Sequence, residues 1–154
     1  MSYYFFDTSA LIKRYVVEQG TLWVQEIASH QTDNVILVAQ ITRVEIVSGA
    51  SRRKRSGQIS EHAARAVRLM IDRHANREYK IAGLTEQTIR RAEDLLEKHT
   101  LRAYDAVQLA SALDSNDRLV AAGLPALVFV SADRRLLNAA ASEGLSVEDP
   151  NNHA

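Results

Sequence analysis

The chain has 154 residues, and its nineteen basic and nineteen acidic side chains cancel, so net charge gives no argument for a polyanionic partner. It has no cysteine, which excludes disulfides, thiolate nucleophiles and thiolate zinc sites together. No apolar run approaches the ~18 residues needed to span a membrane, and no basic segment with an apolar stretch and cleavage site opens the chain. One soluble, unexported, cytoplasmic domain over residues 1–150 is expected, with a loose polar tail at 151–154.

Tyr3-Tyr4-Phe5-Phe6 runs straight into Asp7. An unbroken apolar run bounded by polar residues suits a strand buried on both faces, as in a parallel sheet covered by helices. Asp7 then sits at the carboxyl end, the edge where open α/β sheets bind ligands. Thr8 or Ser9 is placed to cap a helix from Ala10 to Val17, whose Leu11, Ile12, Tyr15 and Val16 form an apolar stripe beside Lys13 and Arg14. Taken alone, Asp7 is more readily a turn or capping residue than a catalytic one.

A short helix over Leu22–Ala28 and a turn at Thr32-Asp33-Asn34 precede a β-branched strand, Val35–Val38. From Thr42 to Arg55 the pattern is helical, and rotation of about 100° per residue puts Ile41, Val44, Glu45 and Ser48 on one arc opposite Arg43. An inward glutamate needs a partner, since an unpaired buried carboxylate costs several kcal/mol or more. An arginine salt bridge is the plain structural explanation.

A long helix over Ser60–Asn76, a short strand over Tyr79–Ala82 and an amphipathic helix from Thr85 follow. Ala103–Leu113 reads as a helix apolar nearly all round, with Asp105 as its only charge. An aspartate in a first turn is favoured by the helix dipole, so this acid too has an ordinary explanation. Leu127–Val130 is a strand ending in Ser131-Ala132-Asp133 before a helix over Arg134–Glu143, which repeats the layout around Asp7. Leu145–Val147 adds an edge strand. Strands alternating with helices point to a parallel sheet with helices on both faces.

The functional argument rests on the acids together. Asp7 and Asp133 share a sheet edge if their strands are parallel, while Glu45 and Asp105 occupy inward positions of helices packed on it. At ~6 Å and an effective dielectric near 20, each like-charged pair repels by about 3 kcal/mol, so something must neutralise the group. Carboxylates and waters, without thiolates, suit magnesium or manganese better than zinc. His30, His62, His74, His99 and His153 show no paired helical spacing of the zinc-protease kind.

These residues carry a family resemblance. Asp7-Thr8-Ser9-Ala10-Leu11, Thr42-Arg43-Val44-Glu45, Arg102-Ala103-Tyr104-Asp105-Ala106 with Leu109-Ala110, and Ser131-Ala132-Asp133-Arg134-Arg135-Leu136 resemble, in order, the four motifs of PIN-domain ribonucleases. The closest likeness is to the VapC toxins of toxin–antitoxin pairs. The resemblance implies a three-layer α/β/α fold with a parallel sheet of four to five strands. It also implies a magnesium-binding active site of Asp7, Glu45, Asp105 and Asp133, with manganese able to substitute. Ser9 and Ser131 are then supporting donors.

Lys13, Arg14, Arg102 and Arg134, nearest in sequence to the acids, are the expected phosphate contacts on an RNA substrate. A cognate antitoxin and a homodimer are the implied protein partners. Two other readings stand beside this one. A phosphoaspartyl hydrolase of the haloacid-dehalogenase kind needs a second acid two residues after the first, where Ser9 stands instead. A non-catalytic RNA- or protein-binding module on the same fold is expected to lose one or more of the acids, and all four are present.

Overall fold

The structure, a computed structural model, describes residues 1–153. Its centre is a five-stranded, wholly parallel sheet in the order β3-β2-β1-β4-β5, formed by β1 (Tyr3–Phe6), β2 (Val35–Ala39), β3 (Lys80–Ala82), β4 (Val128–Val130) and β5 (Ser146–Glu148). The aromatic run makes β1 the middle strand, with Tyr3 opposite Val35 on one side and Tyr4 opposite Val128 on the other. Because side chains alternate along a strand, Phe5 and Phe6 enter different cores. Phe5 joins Ala92, Leu95, Leu109, Leu113 and Leu136 on one face, whereas Phe6 joins Leu11, Val24, Ile46, Val67 and Ile71 on the other.

Seven α-helices among the described residues cover the two faces. One layer holds α1 (Thr8–Leu11), α2 (Thr21–Ile27), α3 (Thr42–Arg55) and α4 (Glu61–Arg77); the other holds α5 (Glu86–Lys98), α6 (Ala103–Ala121) and α7 (Arg134–Ser142). Phe5, Phe6 and Phe129 are fully buried, each contributing about 1.5–3 kcal/mol of transfer free energy. Phe5 also stacks on Phe129 at 5.9 Å between ring centres, locking β1 to β4 where the site is built. This is the expected three-layer arrangement.

Several local expectations are corrected. The helix expected over Ala10–Val17 is only α1 and a 3-10 turn at Ile12–Arg14. Beyond it the Thr21 hydroxyl accepts from the Glu18 amide and bonds the Val16 carbonyl, giving this backbone partners outside a helix. The buried stripe of α3 is Thr42, Ile46, Gly49 and Ala50, while Val44 and Ser48 are exposed and line a cavity rim with Glu45.

The end of the chain makes contacts as far as it is described. Asp149 caps a 3-10 turn over Pro150–Asn152, Gln19 donates to the Asn151 carbonyl at 2.8 Å, and His153 stacks on Trp23 at 4.4 Å. These partners lie far upstream, so local composition did not signal them; Ala154 lies outside the described residues.

Candidate active site

The chain runs outward from β1 to β2 and β3, then crosses back to β4 and β5, so the order reverses between β1 and β4. A crevice forms at such a reversal, beyond the strand carboxyl ends. Asp7 immediately follows β1, and Asp133 stands three residues after β4. Glu45 enters from the first turn of α3 and Asp105 from the first turn of α6. All four line one cavity of about 600 Å³, together with Thr8, Ser9, Lys13, Glu18, Arg52, Arg53, Arg102 and Gln108.

Asp7 is the most enclosed of the acids, at 3% exposure. It caps α1 by accepting from the Ala10 amide at 3.0 Å, so the capping expectation falls on Asp7 itself and not on Thr8 or Ser9. Ser131 donates to its Oδ2 at 2.8 Å and Ser9 to its Oδ1 at 2.8 Å. Burial nevertheless dominates, raising its pKa from 3.8 to about 7, and the charge of Asp105 pushes the same way. Asp105 is also raised, first by burial and then by Asp133, with Glu45 adding to it and Arg102 opposing. The acids therefore share one electrostatic field.

Asp133 caps α7, its Oδ1 accepting from the Arg135 amide at 2.9 Å and the Leu136 amide at 3.3 Å. Capping and a place in the cavity coincide for both Asp7 and Asp133. Glu45 is held by neutral groups and not by the arginine that the ordinary explanation required. Its Oε1 accepts from the Thr8 hydroxyl and the Gln108 amide, each at 2.7 Å. The Gln108 amide also reaches Thr42 at 3.0 Å, while Gln108 Oε1 is buried without a partner.

The donor set suits a hard divalent cation in chemistry, being carboxylate and hydroxyl oxygen throughout. The raised pKa values of Asp7 and Asp105 come first from burial, with the neighbouring acids adding to it. Among the described residues, however, no three acidic or histidine side chains are arranged to hold one ion together. The first oxygens of Asp7, Glu45 and Asp133 are instead committed to serine, glutamine and backbone donors. Among the described residues, Oε2 of Glu45 and Oδ2 of Asp133 accept no hydrogen bond and are the oxygens left for an ion.

The sequence pattern of the family described as PIN domain matches residues 4–141, which contain all four acids. The chain belongs to the PIN domain family. No curated protein matches it in sequence. The PIN fold extends to solved structures at low identity. A toxin–antitoxin complex from Klebsiella pneumoniae is similar at 18% identity, with 96% of this chain and 97% of that chain covered and a TM-score of 0.61. VapC20 of Mycobacterium tuberculosis, described as a sarcin–ricin loop cleaving toxin, gives 15%, 94% and 96%, and 0.62. PAE2754 from Pyrobaculum aerophilum gives 19%, 98% and 85%, and 0.63. At these identities the likeness is one of fold.

The basic residues of this PIN domain divide. Lys13 and Arg102 line the acidic cavity, and Arg134 lines an adjoining one with Arg102, Arg135, Asp105 and Asp133. Arg14 does not face the acids. Its guanidinium donates to the Tyr79 hydroxyl at 2.7 Å and pairs with Glu78 at 3.2 Å, beneath α4. Sequence reasoning missed Thr8, Thr42, Gln108, Glu18 and Arg53. Only Gln108 carried a signal, as the one amide in an otherwise apolar stretch of α6.

Proposed function

We propose that this PIN domain is a magnesium- or manganese-dependent endoribonuclease and the toxin of a toxin–antitoxin pair. The observation that carries the reading is the meeting of Asp7, Glu45, Asp105 and Asp133, from four separate elements, around one cavity with basic side chains at its rim. Asp7, Asp105 and Glu45 are the residues to hold a cation, and Asp133 either holds a second or acts through water. The ion supplies Lewis-acid stabilisation of phosphoryl charge and lowers the pKa of water in the site.

This chain's side chains do the positioning. Ser9 and Ser131 fix the plane of the Asp7 carboxylate, while Thr8 and Gln108 fix that of Glu45. Arg102, Arg134, Arg135 and Lys13 stand where a phosphate backbone passing the acids meets cations. The named likeness to a toxin–antitoxin complex supports an antitoxin partner for this chain, and a homodimer is proposed on family resemblance alone.

The test is RNA cleavage by purified protein with magnesium or manganese, with chelator, and with Asp7→Asn and Asp105→Asn. The metal-loaded wild type is expected to cleave and the other arms to be silent, with loss of growth inhibition in cells expressing either variant. Metal-independent RNA binding, with neither cleavage nor growth inhibition, identifies a binding module instead.

A further inference from the structure

At the end of the cavity away from Asp133, Glu18 is gripped by two cations. Arg53 donates to its Oε2 at 2.9 Å, and the Lys13 ammonium lies 3.5 Å from its Oε1. The Lys13 side chain is only 7% exposed and lines the cavity, yet among the described residues this long ion pair is its only acidic contact. A lysine this enclosed is retained at a desolvation cost, and the natural remedy is an anion with oxygens to spare.

The surrounding backbone makes room for the arginine of this pair. Gly49 of α3 leaves room for Ile12 and Arg53: a Cβ there would come within 2.7 Å of the Ile12 side chain and 3.2 Å of the Arg53 guanidinium. Arg53 folds back over that gap, donating to the Gly49 carbonyl at 3.1 Å. Arg52 lines the same cavity. Glu18, in contrast, belongs to the irregular stretch between the 3-10 turn and α2, next to Val17, which is 90% exposed.

A carboxylate whose two oxygens each meet a different cation presents the same pair of acceptors as the two non-bridging oxygens of a phosphodiester. We propose that Lys13 and Arg53 form a subsite for a backbone phosphate of RNA, and that Glu18 occupies it in the free protein as an internal stand-in. The inference rests on the ribonuclease reading for its ligand. Two basic residues against one acid leave the subsite with surplus positive charge, so a phosphate has reason to displace Glu18 or join it. Entry of the strand then releases the Glu18 side chain from the cavity wall, while Gln19 and Val16 keep the flanking backbone anchored.

The test measures binding and not cleavage, in the Asp7→Asn background, with a labelled single-stranded RNA and, separately, inorganic pyrophosphate. Glu18→Gln is expected to tighten RNA binding by about three- to tenfold at low salt, and Lys13→Met or Arg53→Met to weaken it and reduce the salt slope by about one each. Pyrophosphate is expected to raise the Tm of Glu18→Gln more than that of its parent, and Glu18→Gln with Lys13→Met is expected to lose that gain. Arg55→Met, an exposed arginine on the same helix and outside the cavity, serves as the control.

Equal RNA affinity in Glu18→Gln and its parent, or equal losses in Lys13→Met and Arg55→Met, overturns the proposal while leaving the nuclease reading intact. Should Glu18→Gln fail to fold, the comparison of Lys13→Met and Arg53→Met with Arg55→Met decides alone. Pyrophosphate binding that follows these substitutions, with no RNA binding by any variant, keeps the anion subsite and removes RNA as its ligand.

Discussion

The Gln108 amide nitrogen lies 2.7 Å from Oε1 of Glu45, and the amide oxygen of the same side chain is buried without a hydrogen-bond partner. An unpartnered buried acceptor costs about 1–3 kcal/mol, which offsets what the hydrogen bonds donated by the same amide contribute. What it gives in return is a fixed Glu45 carboxylate with Oε2 left for the cavity.

Replacing Gln108 with methionine, of similar volume, removes the donor and the orphaned oxygen together. The two effects oppose each other, so stability is expected to change by no more than about 1 kcal/mol in urea melts. RNA cleavage is expected to fall at least tenfold, and the metal concentration for half-maximal activity to rise. Unchanged metal dependence would show that Glu45 needs no such support.

The buried Asp7 makes the metal-free protein sensitive to pH. Its folded pKa of about 7 lies above the ordinary 3.8, so between these values the native state holds a proton that the unfolded chain has released. Stability contributed by that proton is complete below about pH 4 and is lost as pH rises to 7, by up to about 4 kcal/mol. Melts in chelator should therefore show greater stability at pH 5 than at pH 8, with a smaller difference in Asp7→Asn. An equal pH dependence in both proteins places the titrating group elsewhere.

Metal addition should act in the opposite sense. A cation held by Asp7, Glu45 and Asp105 offsets the cost of their enclosed, mutually repelling charges, so magnesium or manganese is expected to raise the Tm at pH 8. At a hundredfold excess over Kd the gain is about 2.7 kcal/mol for one site. Asp7→Asn is expected to gain much less. Equal gains in both proteins would mean that the ions bind away from the cavity.

Arg14 provides a separation of roles. Its guanidinium serves Tyr79 and Glu78, with only 12% of the side chain exposed. Arg14→Met is expected to lower stability by about 1–3 kcal/mol, because it leaves a tyrosine hydroxyl and a carboxylate short of a donor. RNA affinity of the folded protein should stay within about twofold of wild type. Arg102→Met, on the cavity, should do the reverse.

Legibility in the sequence followed the range of the interactions. The apolar run before Asp7 and the β-branched run from Val35 specify buried strands through composition alone, and the acids at strand ends and first helical turns followed from that frame. The limits are equally specific. Proximity in sequence to Asp7 placed Lys13 and Arg14 together, but the 3-10 turn sends one into the cavity and the other under α4. The face of α3 was misjudged because Val44 lines a polar cavity, where hydrophobicity no longer reports burial. The partners of Glu45 come from α1 and α6, 37 and 63 positions away, and no local pattern encodes such distances.

The bond between Ser131 and Asp7 spans 124 positions, and β1 is flanked on one side by a strand from the last quarter of the chain. During synthesis Asp7 emerges well before its β4 neighbour and Ser131. A nascent or prematurely terminated chain that stops before Val128 has no complete crevice, whatever its other helices have formed. On the proposed function, cleavage cannot begin until the segment from Val128 to Asp133 has joined the sheet beside β1.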